Sequence, residues 1–100
     1  MKVNLLGIEY VIKSVDSHRD MFDNNNVAEC DYSDKSIKIC ENDYNGDKYS
    51  DTFLQESLYH ELAHVFMYET GQADINDERH AELLAHFAKF IGRNNELFTK

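Results

Sequence analysis

The chain changes its hydrophobic period near residue 42, and that change organises it. In IEYVIKSV, residues 8–15, Ile8, Tyr10 and Ile12 alternate with Glu9, Val11 and Lys13, in a run rich in β-branched and aromatic types. This predicts a strand, with a shorter one over Lys2–Leu6 ahead of Gly7. The polar, Asn-rich stretch DSHRDMFDNNN, residues 16–26, reads as a loop or a short helical turn, in which His18 carries no signal. Residues 27–41, VAECDYSDKSIKICE, predict a hairpin around Asp34 and Lys35. Matching apolar faces places Tyr32 opposite Ile37, Cys30 opposite Ile39 and Ala28 opposite Glu41.

After the loop at 42–50 the period becomes helical. Ser50 or Asp51 can cap a helix running to about Thr70, with Gly71 where a C′ glycine belongs. Leu54, Leu58, Leu62 and Val65 form its buried stripe. QADIN, residues 72–76, is a connector. Asn76 or Asp77 can cap a second helix, DERHAELLAHFAKFIG, ending near Gly92. Ala81, Leu84, Ala85, Ala88 and Ile91 share one of its faces, and Leu83, Phe87 and Phe90 another, so the helix is expected to be mostly buried. The tail RNNELFTK is expected to form an extra turn or to fray.

Composition narrows the function. At 100 residues the chain is one domain, divided into a sheet (1–41) and a helical part (50–92). A domain this small gains stability from any metal it binds. The net charge of −9 repels phosphate backbones and argues against nucleic acid as a primary partner. No apolar run of about 18 residues exists, which argues against a membrane span. MKVNLLGIEYVIKSVD lacks the apolar core and cleavage site of a secretory signal, so the expected compartment is the cytoplasm. The hairpin register turns Cys40 away from Cys30, so both read as free thiols, with Cys30 a core filler. The sequence leaves oligomeric state open.

One motif carries chemistry: His60-Glu61-Leu62-Ala63-His64, an H-E-x-x-H in mid-helix. Residues four apart lie about 40° apart around a helix, so both imidazoles can reach one ion. Glu61, about 100° from His60, is badly placed to bind that ion but well placed to reach a water beside it. Zinc lowers the pKa of such a water to about 7, and a carboxylate can take its proton during attack on a carbonyl. A third ligand has several candidates on the second helix. Antiparallel packing brings Glu78, His80 and Glu82 near, while His86 reads as a rim or packing histidine. Glu78 and His80 lie about 200° apart, so they exclude each other. Glu82 can instead accept a hydrogen bond from a ligand imidazole. Tyr49, Tyr68, His80 and His86 are candidate oxyanion stabilisers, and Tyr68, one turn beyond His64, has the best position. The hairpin edge near 36–41 offers a place for an extended peptide to add as a strand.

Leu58-Tyr59-His60-Glu61-Leu62-Ala63-His64-Val65, followed by Glu78-Arg79-His80-Ala81-Glu82-Leu83-Leu84-Ala85, resembles the gluzincin-like ImmA/IrrE-type metallopeptidases. The likeness is strongest to their short relatives from phages and mobile elements of Gram-positive bacteria. The family's H-E-x-x-H helix is followed by an E-x-x-A-N-x-F-A-like run. Glu78 matches its ligand glutamate, and Ala81 and Ala85 its alanines, while Glu82 replaces the usual Asn and Leu84 the usual Phe. The resemblance implies an α+β fold. A small N-terminal antiparallel β-sheet would precede two packed helices carrying a zincin-like site, with one zinc per chain held by His60, His64 and Glu78. It implies a zinc metallopeptidase acting on a protein or peptide, with Glu61 as general base. The alternative is a non-catalytic interaction module that keeps the zinc as a structural staple.

Overall fold

The computed structural model describes residues 1–93 and shows an α+β fold. Strands β1 (Lys2–Leu5) and β2 (Ile8–Val15) form a hairpin closed by Leu6 and Gly7, at φ 56° and 86°. Positive φ at both turn residues matches the twist of the flanking strands. Asn4 Oδ1 accepts the Gly7 amide at 2.8 Å. After a 3₁₀ turn at His18–Asp20, β3 (Ala28–Asp31) and β4 (Ser36–Cys40) form a second hairpin.

The sheet order is β1-β2-β4-β3, with β4 parallel to β2, so the sheet is mixed rather than antiparallel throughout. The segment 16–27 returns along one end of the sheet and leaves a slot that β4 fills. Cys40 N donates to Val27 O at 2.7 Å and Glu41 N to Val15 O at 3.0 Å, so the end of β4 is tied on both sides. A central strand is covered on both faces, and Ser36, Ile37, Ile39 and Cys40 are all buried. The segment 16–27 is no open loop. His18 and Met21 are both about 4% exposed, and His18 stacks on the Tyr44 ring at 4.1 Å.

The β3–β4 register also differs from the face-matching expectation. Cys30 pairs with Ile37 and Ala28 with Ile39, a shift of two residues. Such a shift keeps every side chain on its face, so apolar matching alone cannot detect it. The turn decides it. Asp31 Oδ1 accepts from the Ser33 and Asp34 amides and the Ser33 hydroxyl, which spreads the connection over residues 32–35. Cys30 and Cys40 are free thiols on opposite faces, and Cys40 is fully buried, donating to Asn42 O at 3.2 Å.

Helix α1 (Asp51–Glu69) lies across one face of the sheet. Ser50 Oγ accepts the Phe53 amide at its start, as a capping serine should. Val65 packs with Tyr10 and Ile37 in a core joined by Leu58, Leu62, Ile12, Cys30 and Tyr32. Helix α2 (Glu78–Arg93) packs on α1 through Ala81 and Leu84 against Ala63 and Met67. Leu83, Phe87 and Phe90 are 67%, 61% and 56% exposed, against the expectation of a mostly buried helix. The expected turn or fraying of the tail from Asn94 onward lies outside the described residues. No helix among those described is long and apolar enough to cross a membrane.

The far end of α1 is tied to the sheet by Glu69, whose carboxylate accepts from Tyr10 OH at 2.9 Å and Lys35 Nζ at 2.6 Å. An acid in the last turn of a helix faces an unfavourable dipole, which these two donors offset. The Lys35 hydrogen bond, opposed by partial desolvation and aided by Tyr10, holds the Glu69 carboxyl below its ordinary value of 4.5. A lowered folded pKa stabilises the fold fully above 4.5 and loses that contribution as pH falls through the lowered value. Glu69→Gln should therefore melt below the wild type at neutral pH and lose less of its Tm on acidification. Thermal melts across the acid range check this, and equal acid sensitivity of the two proteins would contradict it.

Candidate metal centre

The site lies where the middle of α1 meets the start of α2, and the chain between them is tightly specified. Gly71, at φ 77°, follows the last turn of α1. Its amide donates to Tyr68 O at 3.2 Å, and the Gln72 amide donates to Met67 O at 2.8 Å. These are the paired bonds of a Schellman ending. After the 3₁₀ turn at Ala73–Ile75, Asp77 caps α2, with Oδ1 accepting the His80 amide at 2.9 Å. Small side chains at Ala63 and Ala81 let the helices approach closely. The first turn of α2 then faces the H-E-x-x-H turn.

Three side chains converge there. Glu78 Oε2 lies 2.7 Å from His60 Nε2, and Glu78 Oε1 lies 3.0 Å from His64 Nε2. The two imidazole Nε2 atoms are 3.2 Å apart. Each ring is oriented from behind. His60 Nδ1 lies 3.2 Å from Glu82 Oε2, and His64 Nδ1 lies 2.6 Å from Asn76 Oδ1. Each imidazole thus has an acceptor at both of its nitrogens, and a neutral ring carries one proton for the two. The inward atoms are two ring nitrogens and the two oxygens of one carboxylate, in mutual contacts that neutral rings have too few protons to bridge while also serving Glu82 and Asn76.

A cation relieves all of them, and this donor set suits zinc. Two ligands about 2.0 Å from one tetrahedral ion lie about 3.3 Å apart, close to the 2.7, 3.0 and 3.2 Å found here. Two imidazoles and one carboxylate leave one of four tetrahedral positions for water or substrate. His60, His64 and Glu78 form the metal-competent group among the described residues. The imidazoles are mostly enclosed, at 19% and 12% side-chain exposure, while Glu78 is 82% exposed and the site opens to solvent.

Glu61 lies beside this group in a cleft of about 660 Å³, also lined by Asn26, Cys30, Tyr32 and Phe53. Burial pushes its carboxyl above the ordinary value of 4.5, opposed by a hydrogen bond from Cys30 and by the two imidazoles. Burial also pushes the Cys30 thiol up to about 12. One wall of the cleft is the edge strand β3. The 36–41 segment, expected to supply that edge, is the interior strand β4.

The remaining sequence candidates lie elsewhere. His80 turns back to its own cap, with Nδ1 2.8 Å from Asp77 Oδ1. His86 is 69% exposed and 3.7 Å from Glu82 Oε1, so it is neither a ligand nor a packing residue. Tyr68 does not line the metal cleft; its ring is stacked on Tyr32 at 4.0 Å and 2°. Tyr49 pairs with buried His18, 2.9 Å from hydroxyl to Nε2. Asn76 reads in sequence only as a cap, and its role behind His64 appears only once Asp77 takes the cap. Comparison with protein-family models, with curated proteins and with solved structures finds no match.

Zinc binding should stabilise the fold by RT ln(1 + [L]/Kd), about 2.7 kcal/mol at a hundredfold excess over Kd, and so raise the melting temperature. Glu78→Ala should abolish most of that rise and leave the metal-free melt nearly unchanged. Glu82→Ala and Asn76→Ala should weaken zinc affinity by about 10–100-fold, and His80→Ala should leave it unaltered. Zinc titrations followed by thermal melting and calorimetry check this. A rise that survives Glu78→Ala but vanishes in His80→Ala would overturn the ligand set.

Proposed function

We propose that this protein is a minimal zinc-dependent peptidase. The observation that carries the reading is the convergence of His60, His64 and Glu78 with Glu61 in one open cleft beside an edge strand. Zinc held by the three ligands would supply a Lewis acid that activates water and polarises a carbonyl. Glu61 takes the proton of the attacking water and returns it to the leaving amine. With zinc on the two Nε2 atoms, Glu82 and Asn76 would accept the Nδ1 protons and orient the ligand imidazoles. Strand β3 offers backbone groups along which an extended peptide can align beside the site.

The reading agrees with the resemblance to short ImmA/IrrE-type peptidases, and with it go a protein or peptide substrate and a cytoplasmic location in a bacterial or phage setting. The competing reading, a zinc staple in an interaction module, requires a site closed by protein side chains. The exposure of Glu78 and the breadth of the cleft favour the enzyme.

Glu61→Gln should keep zinc content and melting temperature and abolish cleavage, because the amide keeps the shape and removes the base. Metal analysis, melting and turnover of an unstructured protein substrate check this together. Loss of zinc in Glu61→Gln would make Glu61 a ligand and defeat the assignment.

A further inference from the structure

Strand β3 ends the sheet, and among the described residues no strand pairs with its outer side. Cys40 N donates to Val27 O, and the register continues with Glu29 opposite Lys38 and Asp31 opposite Ser36. Hydrogen-bonded pairs alternate with unbonded ones along an antiparallel ladder, so the N–H and C=O of Ala28 and Cys30 turn outward. The Ala28 and Cys30 side chains line the metal cleft. On the other face of the strand, Glu29 and Asp31 border a second cavity of about 770 Å³, shared with Phe22, Lys13 and Lys38. The Glu29 carboxylate ties the preceding loop to the strand. Its Oε1 accepts the Phe22 amide at 2.5 Å, and its Oε2 accepts from the Asp23 amide at 3.4 Å and from Asn26 Nδ2 at 3.3 Å. Held this way, Phe22 is 96% exposed, the most exposed large apolar residue among those described.

We propose that Phe22 selects a large apolar side chain, an aromatic one best, on an extended peptide that adds to β3, and that Glu29 is the positioning residue that holds Phe22 in place. A peptide strand bonded to Ala28 and Cys30 sends its side chains alternately to the two faces. Residues opposite Ala28 and Cys30 turn toward the metal cleft. The residue between them, opposite Glu29, turns toward Phe22. The polar groups of the second cavity are already engaged. Glu29 has its three donors, and Asp31 Oδ1 holds the hairpin turn. Lys13 pairs with Asp34 at 3.0 Å, and Lys38 donates to Asp20 O at 3.0 Å. What is left uncovered is the ring of Phe22, so the cavity favours apolar burial over a new charge pair. A single exposed aromatic is ordinary on a protein surface. This one is set by a three-bond clamp, on the strand that also walls the metal cleft and turns free backbone groups to its edge.

Docking on β3 needs no metal, while its part in turnover rests on the peptidase reading, so the test has two arms. The first uses the metal-free protein and two short threonine–alanine peptides that differ only in one central residue, Phe or Ser, with binding followed by amide NMR. The Phe peptide should bind about 3–10-fold more tightly than the Ser peptide, and binding should slow exchange of the Ala28 and Cys30 amides. Phe22→Ser should erase the difference at an unchanged melting temperature, and Glu29→Ala should weaken it. Equal affinities in the wild type, a preference that survives Phe22→Ser, or no binding by either peptide overturns the proposal. A preference untouched by Glu29→Ala overturns the clamp. The second arm is turnover of the same peptides by the zinc-loaded protein. Phe22→Ser should raise KM for the Phe peptide by about the same 3–10-fold and leave kcat alone. Cleavage of both peptides by the wild type with equal kcat/KM overturns the selection and leaves the peptidase reading standing. A Phe peptide bound with the expected preference but never cleaved supports the docking and defeats the peptidase reading alone.

Discussion

Two imidazole nitrogens and a carboxylate are held within 3.2 Å of one another at the junction of two helices, and each imidazole meets an acceptor at both of its nitrogens. That convergence of acceptors is the constraint around which the molecule is arranged. It cannot be satisfied from within by neutral rings, and the side chains behind it prevent the simplest escape. Glu82 and Asn76 lie against the outer ring nitrogens, so a neutral imidazole that donates inward leaves its outer acceptor without a proton. A divalent cation with nitrogen and oxygen preferences satisfies every member at once.

The rest of the fold keeps these atoms together. The Schellman ending at Gly71 and the Asp77 cap turn the chain back within a few residues, and the alanine contacts let α2 approach. The sheet fixes α1 from the other side, through Val65 in the core and through Glu69 bridging Tyr10 and Lys35. The β3 hairpin does more than cover the core. Through Tyr32, whose hydroxyl accepts from Asn76 Nδ2 at 3.1 Å, it is tied to the connector residue that lies behind His64. In an acidic chain with a net charge of −9, a bound cation also relieves the repulsion among Glu61, Glu78 and Glu82.

How much of this is legible in the sequence follows from the range of the interactions. Helix α1 is legible at both ends because Ser50 and Gly71 act locally. The i, i+4 spacing of His60 and His64 reads directly as one face. The acid across the connector is legible only as a choice among Glu78, His80 and Glu82, because the docking of α2 decides it. Register was legible in parity but not in value, since a shift of two preserves every face and the Asp31 turn breaks the tie. The parallel β2–β4 pairing, the burial of His18 and the role of Asn76 depend on contacts between segments distant in sequence. The exposed Leu83, Phe87 and Phe90 show the converse: apolar periodicity marks a face without saying that a described element covers it.

The central claim concerns which atoms bind the metal, and X-ray absorption at the zinc edge of the loaded protein tests it directly. The account predicts one zinc per chain bound by two imidazole nitrogens and by oxygen, at about 2.0–2.2 Å, with no sulfur. Cys30, which lines the same cleft, is the nearby sulfur, and it lies outside the group of ligand atoms that converge. A sulfur scatterer at about 2.3 Å, or a zinc environment with a single imidazole, would contradict the account.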